Sequence, residues 1–364
     1  MAGVYISFPF CPQKCTYCNF ISGVFPEDLE REYVRALLAE MEEHRWQWRP
    51  ETVYLGGGSP CRIPLEDLEQ ILARIPGAPW VEATIEADPG AIALGIAAGW
   101  RKLGINRVSL GVQSFVESEL RQTGRKHTAP VVERAVTALR EAGIPRINID
   151  LIAGLPYQTR ESWDVSLSWI ERIAPDHVSV YMLEVDEDSR LGSEILHGGL
   201  RYGAPHAPSA DLTADFYEAA VNRLEAMGMV HYEISNFARP GFESAHNLKY
   251  WRLEPYVGFG ADAHSFDGRM RRRNAEEPAE YVRRMKAGRS ACIEETEARL
   301  DEERFFVGLR LLQGIQIPPE AWRRFGDRLQ RLIDEGLLEA EGAWLRLTKR
   351  GVLLSNEVFQ EFLG

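Results

Sequence analysis

The sequence predicts an α/β fold, a partial (β/α)6 TIM-like barrel followed by a C-terminal helical, winged-helix-like domain. Through the first half of the chain, short apolar runs alternate with segments of helical period, the pattern left by repeated βα units on a parallel sheet. Six such runs occur, and six parallel strands in this order suit a partial barrel better than an open doubly wound sheet. After residue 295 the pattern changes to helices followed by two short strands.

Residues 4–7, 52–55, 83–87, 107–111, 147–152 and 177–181 read as the six strands. Helices are predicted over 29–45, 65–75, 91–103, 131–142 and 160–173, several closed by a glycine or proline. The stretch 192–292 is less regular, with a helix over 211–227 and a glycine-rich, aromatic segment over 246–264. It reads as a bridge across the open side of the barrel. Beyond it, helices over 301–312, 318–325 and 329–336 precede a hairpin of 337–339 and 344–347. The expected domains are therefore 1–215, 216–294 and 295–364. Mixed charge over 327–334 favours packing or docking over DNA reading for the last of them.

The chain has 364 residues, 45% hydrophobic and 26% charged, enough to bury a large core. Its 42 basic against 54 acidic residues give a net charge of −12, which argues against a general nucleic-acid or membrane-surface binder. No run approaches the ~20 apolar residues of a membrane helix, and the N-terminus lacks a charged-then-apolar signal pattern. A cytoplasmic protein, not integral to a membrane, is expected. Three of the five cysteines fall within Cys11–Cys18, a spacing that suits a metal site rather than a disulfide framework. Cys61 and Cys292 read as plain thiols.

The three thiolates follow the first strand as Cys11-Pro-Gln-Lys-Cys15-Thr-Tyr-Cys18, a C-x3-C-x2-C spacing that can wrap three corners of a [4Fe–4S] cubane. The missing fourth cysteine leaves one iron open to an outside ligand. The alternative is a zinc site, which needs a distant fourth ligand such as His44.

This segment resembles the radical SAM motif, and its surroundings resemble the branch that holds oxygen-independent coproporphyrinogen III oxidases and HemW-type heme chaperones. The resemblance spans essentially the whole chain. It implies that S-adenosylmethionine (SAM) binds the open iron through its amino and carboxylate groups, and that an electron entering the sulfonium releases a 5′-deoxyadenosyl radical. Gly56-Gly57-Gly58-Ser59-Pro60 resembles the family's GGGTP motif, with Ser59 in place of threonine, and implies contact with the methionine amino group. Glu86-Ala-Asp88-Pro89 resembles its E-x-N/D-P motif. By the same matching Gln113, Arg125 and Asp150 line the ribose and carboxylate side, and Tyr5 contacts the cluster or ligand. Asp150 also stands out on its own, because it interrupts the apolar run 147–152 and a buried carboxylate needs partners. Gly154-Leu-Pro-Tyr-Gln-Thr resembles GLP-x-QT, where setting a strand-to-helix turn is a sufficient role.

Two features separate the members of that branch. The decarboxylases carry a further cysteine two residues after the third ligand, where this chain has Phe20, and a longer extension before the cluster. His246-Asn247-Leu-Lys-Tyr250-Trp251 matches the HNxxYW motif of the branch, in which the histidine is the candidate heme ligand. His264 is a second candidate, and Arg269-Met-Arg271-Arg272-Arg273 offers guanidinium groups for heme propionates. A heme chaperone, carrying heme as cargo to an acceptor that includes membrane-associated respiratory proteins among its candidates, is the reading these features imply. Oxidative decarboxylation of coproporphyrinogen III is the alternative, and heme degradation a third. The chain is expected as a monomer or a cluster-dependent dimer.

Overall fold

In the computed structural model, which describes residues 2–363, six strands follow one another in parallel: β1 (Ala2–Phe8), β2 (Pro50–Gly57), β3 (Glu82–Ala87), β4 (Arg107–Gln113), β5 (Arg146–Ala153) and β6 (His177–Met182). β1 and β6 do not pair, so the barrel stays open between them. The chain then forms β7 (Val230–Glu233) and β8 (Asn236–Ala238), which extend the sheet past β6, and β9 (Tyr256–Phe259), β10 (His264–Phe266), β11 (Met270–Asn274) and β12 (Cys292–Glu297), which extend it past β1. All twelve belong to one sheet.

Alternation along each strand sorts the residues into two faces. One face, with Val4, Ile6, Val53, Leu55, Ile149 and Leu151, is sealed beneath the surrounding helices. The other lines the lumen and is polar. Register sets Thr52 beside Glu82, Glu86 beside Ser109, Gly111 beside Asp150 and Asn148 beside His177. Ser109, Asn148, Asp150 and His177 satisfy one another, as burial demands. Asn148 Nδ2 donates to Ser109 Oγ at 2.6 Å, and its Oδ1 lies 2.6 Å from His177 Nδ1.

The helix Arg160–Ile173 spans the expected residues, opened by a reciprocal Thr159–Ser162 capping box. A seven-residue helix, Glu117–Thr123, was not legible in the sequence, being short and polar. The bridging segment holds more strand than the sequence suggests, since β7 to β11 have three to five residues each and β11 is largely arginine.

In the C-terminal part, the two helices expected over 318–325 and 329–336 are one, Pro319–Asp334. Ala321, Phe325, Leu329 and Leu332 make an unbroken buried stripe at helical spacing, and this overrides the weak break offered by Gly326. The helix packs with β13 (Ile315–Gln316), β14 (Leu338–Glu341) and β15 (Trp344–Leu347), a separate three-stranded sheet. This part meets the barrel through Arg310, which pairs with buried Glu233 at 3.4 Å and stacks its guanidinium over Trp251 at 4.4 Å.

Candidate functional site

The three cysteines lie on a loop that leaves the C-terminal end of β1 and is closed at its base by two hydrogen bonds, Cys11 N–H to Gly23 O at 2.8 Å and Gly23 N–H to Pro9 O at 3.0 Å. Its far side is fastened to the loops after other strands. Thr16 N–H donates to Thr123 O at 3.1 Å, Arg125 donates to Tyr17 OH at 3.1 Å, and Asn19 Nδ2 donates to both Glu184 (2.8 Å) and Asp186 (2.9 Å). The loop thus spans the barrel mouth, held by contacts that do not involve the thiols. All three thiols are free and partly exposed. Burial pushes the Cys11 thiol up, opposed by hydrogen bonds from Ser59 and Ser22 and reinforced by Cys18 and Cys15.

The glycine run belongs to this loop's packing. Gly57 sits opposite Phe8 in the β1–β2 ladder with φ +109°, and Gly58 and Ser59 donate to Phe8 O and Phe10 O at 2.8 and 2.9 Å. A Cβ at Gly58 would lie 2.8 Å from Phe10 O and 2.9 Å from Cys11 Sγ. Only glycine permits this approach. Gly58→Ala is therefore expected to displace the cysteine loop and cut the iron retained after anaerobic reconstitution by at least half. Full iron occupancy in that variant would show that the approach is dispensable.

Along the strand ends, Glu86 accepts from Tyr54 OH at 2.8 Å and from Gly57 N–H at 3.2 Å. Burial raises its carboxyl to about 7 against those hydrogen bonds, with the Asp150 charge adding to the rise. Asp150 meets the requirement for partners: Ser109 Oγ donates at 3.0 Å and Asn148 Nδ2 at 2.7 Å. Arg125 is mostly buried and pairs with Asp88 at 2.8 Å. Gln113 is buried at φ +68°, and its Oε1 has no hydrogen-bond partner among the described residues. Tyr5 stacks against Tyr54, ring centroids 6.1 Å apart. Tyr5, Gly57, Gly58, Ser59, Glu86, Gln113, Arg125 and Asp150 thus lie on or beside neighbouring strands, facing the lumen or its mouth.

The donor set fits a cubane and a cationic ligand. Three thiols hang over a lumen wall with a buried carboxyl raised by desolvation and an unsatisfied amide oxygen, both suited to meeting an incoming polar molecule. A compact single-ion site fits less well. It would need a fourth ligand, and His44, the candidate, sets its ring edge-on against Trp46 and Phe259.

His246 differs from its expected role. It lies in the helix Ala245–Trp251, 1% exposed, with Nδ1 2.9 Å from Thr52 Oγ1 and Nε2 2.8 Å from Tyr250 OH. Burial, with Lys249 and Arg107 nearby, lowers its pKa to about 3. Both ring nitrogens are taken, so this arrangement leaves no lone pair for iron. The helix is a plug at the N-terminal end of the strands. Glu82, fully buried, accepts from Ser244 Oγ (3.2 Å), Ala245 N–H (2.9 Å) and His246 N–H (3.0 Å). Period-two spacing of Glu82, Thr84 and Glu86 was the signal that could have marked Glu82 as lumen-facing. The Arg269–Arg273 group is likewise committed: Arg269 pairs with Glu297, Arg271 with Glu303, Arg272 with Asp267 and Glu295, and Arg273 with Glu294.

Comparison with known proteins agrees with this architecture. The model of the radical SAM superfamily matches residues 5–170, and that of the HemN C-terminal domain matches 298–354. The heme chaperone HemW of Bacillus subtilis (strain 168) is 32% identical, covering 100% of both chains. That of Escherichia coli (strain K12) is 30% identical over 99% of this chain and 98% of its own. The structure of E. coli coproporphyrinogen III oxidase, HemN, described as a radical SAM enzyme, superimposes with a TM-score of 0.83 at 21% identity, covering 99% of this chain and 89% of that one. At that identity the likeness speaks for the fold.

Proposed function

Because the chain belongs to the HemW family of heme chaperones, within the radical SAM superfamily, we propose that it binds heme and hands it to an acceptor protein, with a [4Fe–4S] cluster and SAM as its own cofactors. The observation that carries this reading is full-length identity of 30% or more to heme chaperones, joined to a mouth-spanning loop that carries three free cysteines. A cubane held there supplies an open iron that binds SAM and an electron for its sulfonium. The chain's own residues do the rest. Cys11, Cys15 and Cys18 hold the cluster. The backbone of Gly57, Gly58 and Ser59 meets the methionine end, Glu86 faces the cation, and Gln113, Arg125 and Asp150 orient the remainder. Phe20, 67% exposed where the decarboxylases have a cysteine, supports a carrier over a decarboxylase.

We place the protein in the cytoplasm, as a monomer or a cluster-dependent dimer, with a membrane-associated respiratory protein as the class of acceptor. Among the described residues no helix is long and apolar enough to cross a membrane. The deciding experiment pairs hemin titration of cluster-loaded protein with an anaerobic assay on coproporphyrinogen III. Saturable hemin uptake without decarboxylation is expected; turnover to protoporphyrinogen at an enzymatic rate would reject the proposal.

SAM affinity reports on Glu86. Its carboxyl, raised to about 7, must be ionised to attract a sulfonium. Below that pH a proton must leave on binding, so affinity is expected to fall by up to tenfold per pH unit under pH 7 and to level off above it. Glu86→Gln should flatten this dependence and weaken binding at pH 8 by roughly tenfold or more. Equilibrium dialysis of SAM against cluster-loaded protein measures both, and an unchanged pH profile in the variant would remove Glu86 from the site.

A further inference from the structure

We infer that His264 is the axial ligand to heme iron, in a cavity of about 250 Å³ walled by Tyr5, Tyr250 and Tyr256 and edged by Asp262. The inference rests on the heme-carrier reading above and assigns the atom that holds the iron.

A ligand histidine needs one nitrogen free and its ring oriented through the other, commonly by donation to a backbone carbonyl. His264 has this arrangement. Its Nδ1 lies 3.0 Å from Asp262 O, and its Nε2 has no hydrogen-bond partner among the described residues. The ring is exposed. Of the other seven histidines, His246 and His177 have both nitrogens bonded and are buried. His231 sits in a half-buried cluster with Nε2 shared between Tyr217 and a carbonyl, and His127 is buried with Nε2 on Val112 O. His44 packs on Trp46 and Phe259, His206 stacks on Tyr157, and the exposed His197 faces Glu187. His264 alone among them lines the tyrosine-walled cavity.

The walls suit a flat apolar ring. Tyr250 and Tyr256 meet edge to face with centroids 4.6 Å apart, and Arg271 fixes the Tyr256 hydroxyl at 3.2 Å. The cavity is below the ~300–1,000 Å³ of a fully enclosing ligand site, so the macrocycle lies across its mouth, with the exposed His264 ring facing the iron. The turn that presents His264 is rigid. Gly260 N–H donates to Glu40 at 2.9 Å, Ala261 N–H donates to Tyr33 OH at 2.7 Å, and that hydroxyl donates to Ser7 O at 2.8 Å. Tyr5 also bounds the lumen beside Glu86, so the cargo and SAM share one aromatic wall.

The test titrates hemin into cluster-loaded wild type, His264→Ala and His246→Ala, following the Soret band. In His264→Ala at least tenfold weaker uptake and a shifted Soret band are expected, with free imidazole restoring the wild-type spectrum, and its melting temperature should match wild type because the side chain is exposed. His246→Ala should melt lower yet keep the wild-type heme spectrum. A His264→Ala protein with wild-type affinity and spectrum would overturn the assignment alone. A wild type that takes up no stoichiometric hemin would overturn the carrier reading, and the assignment with it.

Discussion

Serine in place of Cys11, Cys15 or Cys18 is expected to abolish the cluster, with iron and sulfide after anaerobic reconstitution falling from about four of each to under one. Serine offers a hard, weakly acidic oxygen where a soft thiolate is needed, and two remaining thiolates cannot hold a cubane against exchange. The fold should survive. The loop is fastened by its base hydrogen bonds and by Thr16, Tyr17 and Asn19, none of which uses sulfur, so melting of the iron-free variants should match iron-free wild type. Cys61→Ser and Cys292→Ser are the matching controls. The Cys61 thiol is buried and held up to about 11 by desolvation, and Cys292 lies on β12 donating to Glu294 O at 3.2 Å. Both should keep full iron, and full iron in any of the three loop variants would refute the ligand set.

The largest expected loss of stability comes from Glu82→Ala, at roughly 3–5 kcal/mol. Its carboxylate takes three hydrogen bonds from the start of the plug helix and lies 3.9 Å from Arg146. The buried Arg107 is near enough for the Glu82 charge to act on it. Removing the carboxylate strands those N–H groups and leaves a buried guanidinium poorly compensated. Urea denaturation of iron-free protein measures the change; a loss under about 1 kcal/mol would mean that water or a neighbour replaces Glu82.

Much of this was legible in the sequence because parallel strands under helices write near-continuous apolar runs, so all six barrel strands fall where those runs lie. The cysteine loop and glycine turn were legible because covalent spacing alone brings their atoms together. Beyond that, position in space decided. Gln113 and Arg125 were placed by the motif resemblance alone, since nothing in their local sequence shows that β4 and the loop beyond it carry them inward. β11 escaped notice because its arginines are kept soluble by acids on β12, 21 to 23 residues away for Arg272 and Arg273. His246 stood out through its match to the HNxxYW motif; in the fold its ring bridges Thr52 on β2 and Tyr250 of its own helix, an arrangement that spacing along the chain does not reveal.

Residues 239–255 run from the end of β8, on one lip of the unclosed barrel, to the start of β9 on the other, and midway they are clamped to Glu82. The gap is therefore strapped across its base like a cup with a fixed floor. Its lips cannot splay independently without stretching that strap or tearing the clamp, which leaves entry from above or through the slot as the route for a bulky cargo.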